Sequence, residues 1–545
     1  MTIARDPHPA GHRARRLLGL LLLVATIAAL IGLPLLATAG FDTPINLSKR
    51  AEVGLKSAYP DLQASSDGQY VAVVWSRGYD SGPATKEYGA IVLKSANVAI
   101  GWEKQVVVNA PSDSVWGVQP RLAFLPTDSS QVAVVWVECL DQRDQCSRMM
   151  LANCDLSTFP DTCQSPQVLC DQAPARLSTP ALAYDGQDRL HVIWKRATGG
   201  NEGLWYLRYG SGLPPARIDP SSTTSNSYNP RLAWSGAGSG AAGRLHLAWY
   251  EFNQDGLSRR IRYLADDSPD DDTWTPADLT EWRSLYPMYQ FSGGVDELAN
   301  RPSLAASGST VYVAWDLAKI DSNDFALAYD GATYAEGAWT WHDADTGKRS
   351  GLDCGYRGDG CGVPNGVILD DNPAYDSPAD VAERARLQPS VAISESMPAL
   401  AWHHRDSSGE NQVYVIAYQA SITASGHISW PVPALPMLQG DDWDDDGLPE
   451  DSTNPELAFW PDHQVHIAHM GAWGYTAGDL EEDDWDIFYR GGVVTDTSSV
   501  PTPAPSPEPT LTPTPIPPGQ PNPDPTIYPY DDLRHAHVPV VMRNE

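Results

Sequence analysis

The densest run of candidate metal ligands is DDWDDDGLPED, residues 441–451. Asp442, Asp444 and Asp446 fall at alternate positions, with Gly447 and then Glu450 behind them. Carboxylates at that spacing can turn inward around a hard cation while the glycine permits the bend. The expectation is one calcium ion held by Asp442, Asp444, Asp446 and Glu450, with a solvated acidic loop as the alternative. Thr453 occupies the twelfth loop position, where a bidentate glutamate would stand in a helix-flanked calcium loop.

A second set of chemically capable residues follows a recurring tryptophan: Arg77, Glu138, Lys195, Arg196, Glu251, Asp316, His403, His404 and Arg405. Charged groups repeated at one structural position can line one face of an assembly and form a ligand-binding surface there. His191, His246 and His466 also share a slot, three residues before that tryptophan position. Three copies in one slot predict a structural role, because a reaction centre uses one histidine and not a ring of them.

The elements that must position these residues are repeats. Aligned on Pro60, Pro120, Pro180, Pro230, Pro302, Pro389 and Pro455, the chain reads YPDLQASSDGQYVAVVW, QPRLAFLPTDSSQVAVVW, TPALAYDGQDRLHVIW, NPRLAWSGAGSGAAGRLHLAW, RPSLAASGSTVYVAW, QPSVAISESMPALAW and NPELAFWPDHQVHIAH. Each copy holds two strand patterns around a turn. The second strand is apolar at both parities, as in Leu190, Val192 and Trp194 with Ile193 between them. A strand buried on both faces, recurring at wide spacing, is what a propeller blade requires.

Third strands follow as YGAIVLK, SRMMLANC, GLWYLRY, RIRYLAD, FALAYD, QVYVIAY and DIFYRGG, and fourth strands as WEKQVVVN, PARIDP, WTPADLT and WTWHDA. The last copy lacks a fourth strand, whereas FDTPINLS at 41–48 precedes the first. The expected fold is therefore all-β: a seven-bladed β-propeller of four-stranded blades over 41–497, closed by an N-terminal strand that completes the last blade.

These repeats resemble the sialidase/neuraminidase superfamily and related BNR-like propellers over roughly residues 41–495. That family's Asp-box turn would fall at SANVAIGW (95–102), DSPDDDTW (267–274) and SITASGHISW (421–430), where the terminal Trp and scattered Ser, Asp and Gly remain. The resemblance implies a glycoside hydrolase holding a substrate carboxylate with three arginines. Arg121 and Arg231, which follow the repeat proline, and Arg301, which precedes one, are the arginines at such positions, and none pairs residue by residue with the family's three. The acidic run 441–451 likewise resembles the calcium loops of thrombospondin type 3 repeats.

The two ends differ from the body. Residues 1–39 carry Arg5, Arg13, Arg15 and Arg16, then an apolar run from Leu17 to Leu36 ending in Ala37-Thr38-Ala39. This reads as a secretory signal, with an uncleaved membrane anchor as the alternative. Residues 498–527 are a Pro/Thr/Ser-rich spacer, and 528–545 form a short tail that could attach the protein to a cell envelope. Seven cysteines in an exported chain predict disulfides Cys139–Cys146, Cys154–Cys163 and Cys354–Cys361, leaving Cys170. A net charge of −32 excludes a nucleic-acid partner, because phosphate binding needs clustered Lys and Arg. The sequence thus predicts a secreted or cell-surface propeller that binds an extracellular glycan or protein through its loop-bearing face. The alternatives are a sialidase-type glycoside hydrolase and a structural envelope component.

Overall fold

The computed structural model describes the strands between Ile45 and Val493 and many of the turns that join them. Residues 1–44 and 494–545, and loops including 267–282, 285–296, 342–385 and 437–451, lie outside the described residues. The calcium-loop carboxylates Asp442, Asp444, Asp446 and Glu450, the Cys354–Cys361 pair, the signal, the spacer and the tail all fall there. Among the described residues no group of three or more His, Cys, Asp or Glu side chains is arranged to hold a metal. No helix among them is long and apolar enough to cross a membrane.

The chain is an all-β propeller. Seven antiparallel sheets of four or five strands succeed one another, and a two-stranded pair, Ser421–Ile422 with Ile428–Ser429, stands apart. The inner strands are Ser57–Ala64, Val115–Leu125, Arg176–Tyr184, Ser225–Trp234, Glu297–Ser307, Arg386–Ser394 and Ser452–Phe459. Each touches the inner strands of the sheets before and after it, and the last touches the first.

Apolar burial on both faces of the second strand holds neighbouring sheets together. Val71, Val73 and Trp75 enter a cluster shared with the last sheet, whereas Ala72 and Val74 enter the cluster shared with the next. The same period of two sends Val132, Val134 and Trp136 backward and Ala133, Val135 and Val137 forward. Six such clusters lie between neighbouring sheets among the described residues. The tryptophans Trp75, Trp136, Trp194, Trp249, Trp315 and Trp402 are all buried, each worth about 1.5–3 kcal/mol or more by area. In the seventh copy His469 takes their slot, fully buried and stacked on Phe488 at 5.7 Å.

The last sheet is completed by the N-terminal segment. Ile45 pairs with Tyr489 and Asn46 with Phe488, and the Leu47 amide donates to the Ile487 carbonyl at 2.7 Å. Asp486 anchors this strand by accepting from Asn46 Nδ2 at 2.7 Å and from Ser48 Oγ at 2.5 Å. A propeller must close without a covalent bond, and here closure joins residues some 440 positions apart. The first sheet's third strand pairs with an outer strand, Gly101–Trp102, and Trp102 packs edge-on against Tyr489 at 4.5 Å. WTPADLT lies outside the described residues, and the outer strand described in the fourth sheet is Arg283–Ser284.

Candidate functional site: the proline-lined centre

In all seven inner strands the pairing register slips at the repeat proline, from Ala58/Asp61 in the first to Thr453/Glu456 in the last. Proline has no N–H to give the ladder, so a strand that carries one bulges there. The preceding residues Tyr59, Gln119, Thr179 and Asn229 adopt φ of 56°, 51°, 46° and 46°. That left-handed region costs a non-glycine residue about 1–2 kcal/mol, so the tertiary packing enforces it four times over. All seven prolines line one central cavity with these four residues, Arg121, Arg231 and Glu456, and its volume is about 60 Å³.

Each inner strand is an edge, and its free N–H groups need partners. In three of the seven copies the residue after the proline supplies one to the next sheet. Asp61 Oδ2 accepts from the Leu122 amide at 2.7 Å, Ser303 Oγ from Val391 at 3.0 Å, and Ser390 Oγ from Leu457 at 2.9 Å. Gln119 Oε1 does the equivalent for the Thr179 amide at 2.7 Å. At Leu122, Val391 and Leu457 the capped amide is thus that of the Leu or Val two residues past a repeat proline.

Arginine has no acceptor and cannot perform that task. Arg121 and Arg231 instead reach the centre, where Nη1 of Arg121 lies 3.0 Å and Nη2 of Arg231 3.1 Å from the same Glu456 oxygen. Arg121 Nη1 is also 3.1 Å from Asp61 Oδ1. Burial pushes the Glu456 carboxyl up, but Arg231 and Arg121 outweigh it and hold the group below the usual carboxylate range. Asp61 shifts the other way: burial raises it, Glu456 adds to the rise, and Arg121 only partly offsets them. Two arginines and two carboxylates leave the centre with no net charge.

Of the residues that follow the tryptophans, Arg77, Glu138, Lys195 and Glu251 are buried. Arg77 is buried and donates to Gln105 at 2.7 Å, and Glu138 lies 3.2 Å from Arg148. Lys195 pairs with Glu202 at 3.1 Å and sits 3.7 Å above the Tyr228 ring, while Arg196 covers Trp205 at 4.2 Å. Glu251 is buried against Arg262 at 2.8 Å. A charge at the end of a strand buried on both faces is best paired locally, and Glu138, Lys195 and Glu251 are ion-paired within their own sheets, whereas Arg77 donates to the neutral Gln105 and Arg196 stacks on Trp205 with its Nε buried and unpartnered among the described residues. Asp316, His403, His404 and Arg405 lie in strands, as does Arg301, but their side chains are outside the description.

The slot histidines are core residues. His191, His246 and His466 are buried, and their Nδ1 atoms lie 2.8, 2.5 and 2.5 Å from Tyr206, Tyr263 and Tyr489. In the third sheet Nε2 of His191 also contacts Asp185 at 3.1 Å. Disulfides Cys139–Cys146 and Cys154–Cys163 are formed, and Cys170 is a buried thiol pushed up to about 11 by burial.

Sequence reasoning passed over Asp61, Glu456, Thr179 and Asn229. Their signal was the two positions flanking each aligned proline, which vary in polarity while the position two residues after it is Leu or Val in every copy.

No protein-family model matches the chain, and no curated protein matches it. Solved structures similar to it include a protein of unknown function from Dyadobacter fermentans, at 9% identity and TM-score 0.40, covering 82% of this chain and 100% of that one. The polysaccharide lyase Uly1 matches at 8% identity and TM-score 0.45, over 80% of this chain and 90% of the lyase. A Trypanosoma rangeli sialidase mutant matches at 8% and 0.37, over 83% of this chain but only 59% of the sialidase. Likeness at this level concerns the propeller architecture alone.

Proposed function

We propose that this chain is an extracellular ligand-binding propeller, recognising a glycan or a protein at its loop-bearing end. The observation that carries the reading is the centre itself. Its arginines and carboxylates neutralise one another, and a cavity of about 60 Å³ has room for about four to six water-sized groups. Sites that engulf a small-molecule substrate are several-fold larger, about 300–1,000 Å³. A binding surface needs no such engulfing pocket. The two disulfides are compatible with an oxidising, extracellular compartment. Within this reading Asp316, His403, His404 and Arg405 are the loop-end contacts to test, and calcium on Asp442, Asp444, Asp446 and Glu450 would brace the loop before the last sheet.

One observation favours the rival, a sialidase-type hydrolase. Asp61 and Glu456 share Arg121 and are shifted in opposite directions, as an acid and its ionised partner would be. The experiment is release of the fluorogenic group from a sialoside by the secreted chain, with calcium, between pH 5.5 and 7.5. The expected result is no turnover from a folded protein. Turnover abolished by both D61N and E456Q would replace the binding reading with the hydrolase.

A further inference from the structure

Two residues past the tryptophan of the second strand, the second, third and fourth sheets each carry a charged side chain, and the third sheet departs from its neighbours. In the second sheet this residue is Glu138, 3.2 Å from Arg148, and in the fourth it is Glu251, 2.8 Å from Arg262. The third sheet places a cation there, Arg196, and its register partner on the next strand is Gly203, which has no side chain to answer it. Arg196 stacks on Trp205 at 4.2 Å and makes no ion pair among the described residues. The space above Gly203 holds a second guanidinium, since an added Cβ would come 2.7 Å from Arg217 Nε. Arg217 is the register partner of Trp205, so the period of two puts Arg196, Gly203, Trp205 and Arg217 on one face of the sheet. Trp205 packs against the apolar cluster shared with the second sheet, so that face looks toward it. The neighbouring carboxylates are engaged: Asp219 with Arg217 and Ser227, Glu202 with Lys195, and Asp171 of the second sheet with Arg148. Between 174 and 219 the chain carries six basic and four acidic residues, against 37 and 69 over its whole length. The third sheet is thus a cationic sector of an acidic protein.

We infer that Arg196 and Arg217 form an oxyanion subsite where the third sheet faces the second, taking a sulfate ester or a uronate carboxylate carried by a glycan. The inference rests on the binding reading and names the ligand class for it. A guanidinium bound to no carboxylate keeps its fork for a ligand, and the Trp205 ring fixes the plane of that fork in advance. Arg196 Nε is buried, so its terminal Nη groups are the ones that meet the ligand. Arg217 is oriented by Asp219, has 28% of its side chain exposed, and adds positive potential at the same place. Both arginines are half-buried, which strengthens an ionic contact relative to open water while leaving it reachable. The local excess is a single charge in a chain of net charge −32, which suits one oxyanion substituent and not a dense polyanion. A peptide ligand would need open strand edges for its backbone, and the strands carrying Arg196 and Trp205 are paired on both sides here. A sugar substituent needs the side chains alone.

The test prints sulfated and uronate-bearing oligosaccharides beside their desulfated and carboxyl-reduced counterparts, applies the full secreted chain, and titrates the strongest binder. The expected result is binding to an anionic series and not to its neutral counterpart, and the series preferred identifies which oxyanion is taken. Affinity should fall about tenfold or more in R196Q and in R217Q, and R196K, which keeps the charge but not the fork, should fall between R196Q and the parent. The preference for the anionic member should shrink in R196Q, a change that a purely structural arginine would not produce. Thermal melting separates lost binding from lost folding, and R196K and R217Q read the same site should R196Q unfold. Anionic binding unchanged in folded R196Q and R217Q overturns the subsite and leaves the binding reading standing. Equal binding to the neutral counterparts does the same. Binding to no glycan at all overturns the subsite together with the glycan form of the binding reading.

Discussion

Buried histidines should make this fold acid-sensitive well above the usual carboxylate range. Burial depresses His246 to about 3, with nearby Arg244 adding to the effect, and depresses His466 and His469 to about 4. An unfolded histidine titrates near 6.5, so these groups carry no penalty above that pH. As pH falls from about 6.5 toward 4, the unfolded chain binds protons that the folded chain refuses, and stability drops. At pH 4.5 each group contributes about 3 kcal/mol of loss, and the three together about 8 kcal/mol, comparable to the whole stability of a typical domain. The slope between pH 6.5 and 4.5 should approach three protons, or about 4 kcal/mol per pH unit. Urea unfolding at pH 7.5, 6.5, 5.5 and 4.5 measures it. His246→Asn places a carboxamide near Tyr263 in place of the ring, and should remove about one proton from that slope. A flat profile between pH 6.5 and 5, or an unchanged slope in H246N, would refute the burial argument.

Three further outcomes follow from contacts between strands and between sheets. Ser390→Ala strips the Leu457 amide of its acceptor, leaves a buried donor unsatisfied, and should lower unfolding free energy by about 1–3 kcal/mol by chemical denaturation. Asp486→Ala removes the anchor for both Asn46 and Ser48, so hydrogen exchange should show the Leu47 and Ile487 amides losing protection while the second to fourth sheets keep theirs. Gly89 sits at φ 70°, where an added Cβ would come 2.7 Å from the Trp116 Cβ. Gly89→Ala should therefore destabilise by about 1–3 kcal/mol, visible as a lower melting temperature.

The sequence by itself determined the repeating unit, because burial on both faces of a strand writes itself as apolar residues at both parities. Val71 to Trp75 shows that pattern, and the structure divides those residues between two neighbouring sheets. The N-terminal strand was legible for a related reason: the last copy lacked a fourth strand, and the segment 41–48 ahead of the first repeat resembles the fourth strand of another copy. Local pairs such as Cys139–Cys146 and Cys154–Cys163 were legible because neighbouring strands of one hairpin bring them together.

The centre was decided only by the tertiary structure. Asp61, Arg121, Arg231 and Glu456 are up to nearly 400 residues apart, and no spacing rule joins them until the ring closes. Their roles depend on which neighbouring sheet offers an uncapped amide and which side chain can accept it. The same holds for the charges after each tryptophan: sequence puts Arg77, Glu138 and Glu251 at strand ends, but only packing shows that Gln105, Arg148 and Arg262 take up their polar groups. Periodicity records what is buried along one strand, whereas a site is defined by distances between strands, and the ring alone fixes those.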